Sequence, residues 1–168
     1  HSKGGRHMHR AVAVLLCLVV CAIGNAQGGI VQFSPGLDQV PSVRVSDMVL
    51  GRDGECYLAT DNGLAIFDGS WRTLHPNHSR RGEGILSDRV LSLERDAEGT
   101  LWIGYSTGLQ WYNGSGFTTF RDQQLLKNLI VQDILRQDDA MWIASGDAGL
   151  HRYRNGTWTW FKPHGESG

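Results

Sequence analysis

Residues 98–104 read EGTLWIG and residues 108–114 read GLQWYNG, and two further versions of this pair occur in the chain. The further versions are DGECYLA (53–59) with GLAIFDG (63–69), and DDAMWIA (138–144) with GLHRYRNG (149–156). The aromatic anchors Tyr57, Trp102 and Trp142 are 45 and 40 residues apart. Self-similarity at a period of this length is typical of repeat architectures, in which each repeat is one supersecondary unit.

Each unit predicts four short antiparallel strands. The first strand alternates apolar and polar residues, as in Val45, Asp47 and Val49, which puts one set of side chains on each face of a sheet. The third and fourth strands are joined by Asp68-Gly69, Asn113-Gly114 and Asn155-Gly156. These dipeptides predict type I′ turns, which need positive φ at both central residues.

Four-stranded units of about 40–45 residues are typical of β-propeller blades. We therefore predict an all-β fold with antiparallel four-stranded blades at residues 42–76, 87–122 and 128–163. Residues 30–35 resemble the fourth strands of the first and third units and predict a lone outer strand. Propellers close with about 4–8 blades. Three blades therefore predict part of a larger propeller or, less favoured, two copies that assemble into a ring.

Composition excludes several classes of protein. The 168 residues are 40% hydrophobic and 20% charged, which is enough for a folded core and too apolar for a disordered chain. The 22 glycines lack the every-third-residue period of collagen and indicate many tight turns. The formal charge of −1 supplies no basic face for phosphates, so no nucleic-acid partner is expected.

Residues 8–26 have the three parts of a secretory signal peptide: a basic start, an apolar run over 11–23 and a small-residue end at Ala26. The run is too short to span a bilayer, which needs roughly 20 apolar residues. We expect cleavage after Ala26 and export to the periplasm or the extracellular space. A lipoprotein signal at Cys21 and an uncleaved anchor are the alternatives, and residues 1–7 read as a tag or upstream remnant.

The mature chain, residues 27–168, has 13 basic and 17 acidic side chains and a net charge of −4. Cys56 is its one remaining cysteine, and a lone cysteine forms no internal disulfide. We expect an inert, buried thiol there.

Residues 101–114 resemble the two-component regulator propeller repeat, whose pattern runs roughly D-x-x-G-x-L-W-I-G-T-x-x-G-L-x-x-Y-x-G. This unit departs from the pattern at Tyr105, where the family prefers threonine. The first unit has Tyr57 in place of tryptophan, and residues 138–140 replace the Asp-x-x-Gly turn in the third. The resemblance covers nearly all of residues 30–163.

Proteins with these repeats are commonly the extracytoplasmic parts of hybrid two-component systems or related receptors. The resemblance therefore implies a ligand-sensing module that is not itself an enzyme, followed by a membrane span and an output domain such as a kinase. Its ligand would be a small molecule or a glycan derivative. The protein would contact the membrane only through a downstream or uncleaved segment. A secreted binding or scaffold propeller is the alternative, and a propeller lyase or hydrolase is less favoured.

Ligands of propellers usually meet the loops that join the second strand to the third and one blade to the next. Long loops on a rigid scaffold are where binding tends to lie. The candidate ligand-binding residues on this face are Asp61, Asn62, His75, His78, Arg80, Arg81, Tyr105, Arg121 and Asp147. His75 and His78 have no evident carboxylate partner, so we expect no metal, and no motif indicates a cofactor or catalysis.

Polar residues also recur in the first strand of each unit, at Asp47, Ser92 and Asp133. We expect them to hydrogen-bond neighbouring blades, although lining a channel is the alternative. The Trp and Tyr anchors are expected to pack between blades, because aromatic side chains bury large areas.

Overall fold

The computed structural model describes residues 40, 42–76, 84–120, 129–146 and 148–162, which form β-strands, turns and connecting segments. The strands are β1 (Val45–Leu50), β2 (Cys56–Thr60), β3 (Gly63–Phe67), β4 (Trp71–Leu74), β5 (Val90–Arg95), β6 (Leu101–Tyr105), β7 (Gly108–Tyr112), β8 (Phe117–Thr119), β9 (Val131–Gln137), β10 (Ala140–Ser145), β11 (Leu150–Arg154) and β12 (Thr157–Phe161). No helix occurs among these residues, so the all-β prediction is confirmed. The predicted segments 1–7, 8–26 and 30–35 lie outside the described residues.

The strands form three four-stranded antiparallel sheets in the orders β1-β2-β3-β4, β5-β6-β7-β8 and β9-β10-β11-β12. We call them the first, second and third blade. The first strand of the second blade, β5, contacts both β1 and β9, so the blades are arranged side by side with their first strands innermost. Three consecutive antiparallel blades confirm the predicted propeller architecture.

The register is the same in every blade. The first strand pairs with the second through a shift of one residue, between Val45 and Asp47 in the first blade and at the matching point in the others. Such a bulge increases the local twist of the strand. Below it, Tyr57, Trp102 and Trp142 occupy one equivalent position, opposite Val49, Glu94 and Leu135.

The hydrophobic core lies between the blades. Leu64 and Ile66 of the first blade pack with Leu101 and Ile103 of the second, and all four are buried. The opposite face of the second blade packs on the third, where Trp102 is 1% exposed. The Trp102 ring centroid lies 5.3 Å from that of Trp111, 5.7 Å from Phe120, 5.2 Å from Tyr153 and 6.2 Å from Trp158. The expected packing of aromatic anchors between blades is confirmed for Tyr57 and Trp102.

Hydrogen bonds also join neighbouring blades. The backbone N–H of Leu93 donates to Asp47 Oδ2 at 2.9 Å, which confirms the expected inter-blade role of Asp47. At the next interface Arg136 N–H donates to Glu94 Oε2 at 3.2 Å. Each bond ties the inner strand of one blade to that of the next.

The hairpins between the third and fourth strands differ from one another. Asn155 and Gly156 have φ of 50° and 78°, so the two-residue turn predicted there is confirmed. The other two predictions are wrong: the loops are residues 68–70 and 113–116, of three and four residues. In the longer one, Asn113 Oδ1 accepts from the N–H groups of Ser115 at 3.1 Å and Gly116 at 2.9 Å, so the side chain itself stabilises a wider loop.

Cys56 is a buried thiol at 2% exposure and is in no disulfide within the described residues, as expected from the sequence. It lies at the start of β2, a strand whose five residues are all buried.

A side chain at Gly104 should separate the inner strands. A Cβ there would lie 2.4 Å from Ser92 Oγ and 2.4 Å from Val131 Cγ1. We expect Gly104→Ala to lower the free energy of unfolding by about 1–3 kcal/mol, measured by urea denaturation. Gly116→Ala is the control, because no atom lies within 4 Å of its Cβ position. Equal stabilities of the two variants would contradict this packing.

Candidate functional site

The upper face of the propeller is formed by the turns between second and third strands and by the connections between blades. Four of the predicted ligand-binding residues lie in the described part of the chain: Asp61, Asn62, His75 and Tyr105. The other five lie outside the described residues: His78, Arg80, Arg81, Arg121 and Asp147.

The β2–β3 turn holds Asp61 and Asn62 at the surface. Thr60 Oγ1 accepts from the Asn62 backbone N–H at 3.1 Å and donates to the Gly63 carbonyl at 2.7 Å, so the turn is fastened from beneath. The Asp61 carboxylate accepts a hydrogen bond from Ser42 Oγ and lies 3.9 Å from Arg44 Nε. It remains 41% exposed.

His75 meets a carboxylate that the sequence reasoning did not select. Its Nδ1 lies 2.8 Å from Asp88 Oδ1, and the two side chains are 51% and 48% exposed. The backbone N–H of Gly63 donates to the Asp88 carbonyl at 2.6 Å. The structure therefore brings the Asp61–Gly63 turn, His75 and Asp88 together. Because 13 residues separate His75 from Asp88, the sequence alone contains no signal for this pair.

Gly63 is required at this junction. Its φ is +107°, and a Cβ would lie 2.5 Å from the Leu74 carbonyl oxygen and 3.4 Å from His75 Cε1. Both the backbone conformation and the space thus favour glycine.

Tyr105 is enclosed in the second blade beneath the upper loops and is 0% exposed. Its hydroxyl donates to Gln110 Oε1 at 2.8 Å. Burial raises the pKa of the Tyr105 phenol far above its ordinary value, so the side chain stays neutral. The structure places it as a support for the loops rather than at their surface.

Gln110 fastens the connection that leads into the second blade. Besides the Tyr105 hydroxyl, its Oε1 accepts from Leu86 N–H at 2.8 Å. Its Nε2 donates to the Gly84 carbonyl at 3.2 Å and to Thr119 Oγ1 at 2.9 Å. The amide thus uses both lone pairs and both protons, a complete set of partners for a buried side chain.

A cleft of about 280 Å³ opens on the opposite, lower face between the second and third blades, and sequence reasoning missed it. Its aromatic lining is Trp102, Trp111 and Tyr153. Its charged lining is Asp96, Glu98, Asp138, Asp139 and Arg136. These residues come from two different repeats, so only the packing of the blades reveals that they converge.

Two of the four carboxylates in this cleft have partners. Asp96 accepts from Trp102 Nε1 at 3.0 Å and from the Thr100 N–H at 2.8 Å. Asp139 lies 2.9 Å from Arg154 Nε, and the hydrogen bond from that guanidinium lowers the pKa of the Asp139 carboxyl below its ordinary value.

No group of three or more His, Cys, Asp or Glu side chains suited to a metal ion occurs in the part of the chain that the structure describes. A search of the same residues for a helix of membrane-spanning length and apolarity finds none.

The family comparison supports the second unit as a known type of repeat. Residues 84–107 match the family model described as two component regulator propeller, which confirms the resemblance seen in the sequence. Residues 84–107 are therefore similar to one repeat of that family. The match spans β5, β6 and the connection before them. The hydrogen bonds that join Gln110 to Gly84 and Leu86 hold the start of the matched segment in place.

Several solved structures share the fold, and two of them show the degree of similarity to this chain. One is the extracellular domain of a protein described as the hybrid two component system BT3049 from B. thetaiotaomicron, with 20% identity and a TM-score of 0.58 over 75% of this chain. The other is PorZ, a surface component of the type-IX secretion system of Porphyromonas gingivalis, with 18% identity and a TM-score of 0.56 over 70% of this chain. The matches cover 19% and 21% of those two chains, so this chain spans about a fifth of their length. No curated protein matched the sequence.

Tyr105 should make stability fall at alkaline pH. Unfolded tyrosine ionises at about pH 10, whereas burial keeps the folded side chain protonated. Above that pH the unfolded state has lost the phenolic proton that the folded state keeps. The free energy of unfolding therefore falls by up to about 1.4 kcal/mol per pH unit. We expect Tyr105→Phe to be about 1 kcal/mol less stable than the unchanged chain at pH 7. Above pH 10 this difference in the free energy of unfolding should become smaller or change sign. A constant difference across urea titrations from pH 7 to 11 would contradict the prediction.

Proposed function

We propose that this chain is an extracytoplasmic ligand-binding propeller module of a signal-transduction receptor of the two-component type, and that it is not itself an enzyme. The observation that carries the proposal is the regulator propeller repeat at residues 84–107, set in blades that resemble an extracellular receptor domain. The predicted signal peptide at residues 8–26 supports export to the periplasm or the extracellular space.

We place the ligand on the upper face. Asp61, His75 and Asp88 present partly exposed carboxylate and imidazole groups there, held by the turn at Gly63. Charged hydrogen-bonding groups of this kind suit a polyhydroxyl ligand such as a glycan-derived oligosaccharide. Asn62 lies in the same turn. The predicted residues on the adjoining loops, His78, Arg80, Arg81, Arg121 and Asp147, complete the proposed site.

Ligand binding should raise the melting temperature of the chain. A panel of acidic and neutral oligosaccharides is screened by thermal denaturation, and a ligand present at a hundred times its Kd should raise Tm by about 5–10 °C. Asp61→Asn and His75→Ala should each weaken binding by about tenfold, because each removes a charged hydrogen-bonding group.

Asp53→Asn is the matched control, since Asp53 is an exposed carboxylate on the lower face of the same blade. Its affinity should equal that of the unchanged chain. If a hit binds the Asp61 and His75 variants as tightly as the unchanged chain, the upper-face site is wrong. If no member of the panel binds, a glycan-derived ligand is wrong.

The outer face of the third blade supports the proposal that further blades, or less favourably a second copy, pack on this chain. Leu135, Leu150 and Phe161 are 38%, 36% and 42% exposed. Phe161 stacks on Trp142 with ring centroids 5.6 Å apart. Trp142 and Leu150 match Trp102 and Leu109, which are buried against the next blade. A third blade that repeats this pattern thus presents a surface suited to another blade.

Leu150→Ser combined with Phe161→Ser should reduce the binding of a hydrophobic dye to the chain, because it removes much of this apolar surface. Light scattering then distinguishes the partners. If the unchanged chain is a monomer, and the reading frame continues past the codon for Gly168 into further repeats, further blades are the partner. A dimer that the double variant converts to monomers would identify a second copy, and unchanged dye binding would exclude this face as an interface.

A propeller lyase or hydrolase is the second candidate, and the His75–Asp88 pair is the observation that favours it. An imidazole oriented by a carboxylate at 2.8 Å is the arrangement that a general base uses. Substitution of His75 and His78 by alanine with no loss of turnover on an identified substrate would remove this candidate. A secreted binding or scaffold propeller would share the ligand site but lack a downstream output domain.

A further inference from the structure

Two of the three equivalent aromatic anchors are covered by an arginine of the chain itself. The Arg95 guanidinium carbon lies 5.8 Å from the Tyr57 ring centroid, and that of Arg152 lies 5.5 Å from Trp142. Such contacts are cation–π interactions, in which the ring face attracts the positive charge. The repeat therefore has a tendency to place a cation beside this aromatic position.

Between the first and second blades, arginines close the lower face. Arg95 donates to the Gly99 carbonyl at 2.7 Å, and Arg52 donates to the Ala97 carbonyl. Both acceptors belong to the five-residue turn between β5 and β6, residues 96–100. The long turn therefore provides the carbonyl groups that hold two guanidinium groups in place.

Between the second and third blades, aromatic rings rather than an arginine pack against the anchor, Trp102. The turn from β9 to β10 is shortened to Asp138 and Asp139, so it lacks counterparts of the two carbonyl groups. Ala97 stands where the first blade has Arg52. Arg136, the counterpart of Arg95, is exposed at the rim, and within the described residues no Lys or Arg lies over the ring of Trp102 or Trp111. What remains is the lower-face cleft of about 280 Å³.

The charge of this cleft is complementary to a cation. It contains four carboxylates and one arginine. Glu98 and Asp138 are both exposed, and no hydrogen bond or ion pair of theirs is seen within the described residues. Glu98 comes from the β5–β6 turn and Asp138 from the β9–β10 turn, and both line the cleft.

We propose that the lower-face cleft binds an organic cation, a guanidinium or alkylammonium group, between the partly exposed rings of Trp111 and Tyr153 and the carboxylates of Glu98 and Asp138. The bound group lies at the second interface on the same lower face that the chain's own arginines close at the first. The site lies on the opposite face from the ligand site proposed above and does not depend on it. The cation is supplied either by a basic side chain of a peptide or by a small free ammonium compound.

Indole N–H signals of the full chain, recorded by NMR, test this proposal. The chain has six tryptophans, and each Trp→Phe variant removes one indole N–H signal. Trp111→Phe assigns the signal of Trp111, and the Trp→Phe variants of the other tryptophans assign that of Trp102 by elimination. The probes are N-acetyl-arginine methylamide and choline, and the neutral isostere N-acetyl-citrulline methylamide is the control compound. Shifts of Trp111 and Trp102 with the arginine compound alone assign the site to a guanidinium, and shifts with choline alone assign it to an ammonium group.

Charge variants complete the test. Glu98→Gln should weaken cation binding by about two- to fivefold, and binding should weaken with added salt. Asp53→Asn is the matched control, because Asp53 holds the same turn position in the first blade, where arginines already fill the space. The proposal is overturned if the citrulline compound causes equal shifts or if neither cation causes a shift. It is also overturned if Glu98→Gln and Asp53→Asn weaken cation binding equally.

Discussion

Each four-stranded sheet has two apolar faces, and each face needs a neighbouring blade to cover it. The second blade shows this constraint directly, because all five residues of β6 are buried between the blades on either side. Trp102 faces the third blade while Leu101 and Ile103 face the first. Gly104 follows from the same constraint, since the inner strands approach so closely that a Cβ has no room. The loops on both faces are positioned by this packing.

The sequence could predict the blades because period, alternation and turn residues all act within one repeat. It could not predict the length of each hairpin, because Asn113 stabilises a four-residue loop through its own side chain whereas Asn155 adopts a positive φ. It also could not predict that Tyr105 lies inside the blade. Its larger ring replaces the threonine of the family pattern, and Gln110 supplies the buried partner that its hydroxyl needs.

The sites were harder to predict than the fold because they depend on contacts between repeats. His75 and Asp88 meet only because the connection between the first two blades returns to the Gly63 turn. Asp61 and His75 were identified from loop position alone, and that reasoning passes over Asp88 because nothing in the sequence places its carboxylate beside the imidazole. The lower-face cleft could not be predicted from the sequence for the same reason, because Glu98 and Asp138 come from separate turns.

A comparison of the two interfaces shows how a repeat protein gains a site without a new motif. The aromatic anchor has the same register position in all three blades. What changes is the turn beside it: five residues at 96–100 offer carbonyl oxygens to arginines, and two residues at Asp138–Asp139 do not. Because the turn lies outside the core, its shortening costs little stability. At the second interface, the lower face that arginines close at the first instead has a cleft, with an aromatic lining and carboxylates from two turns.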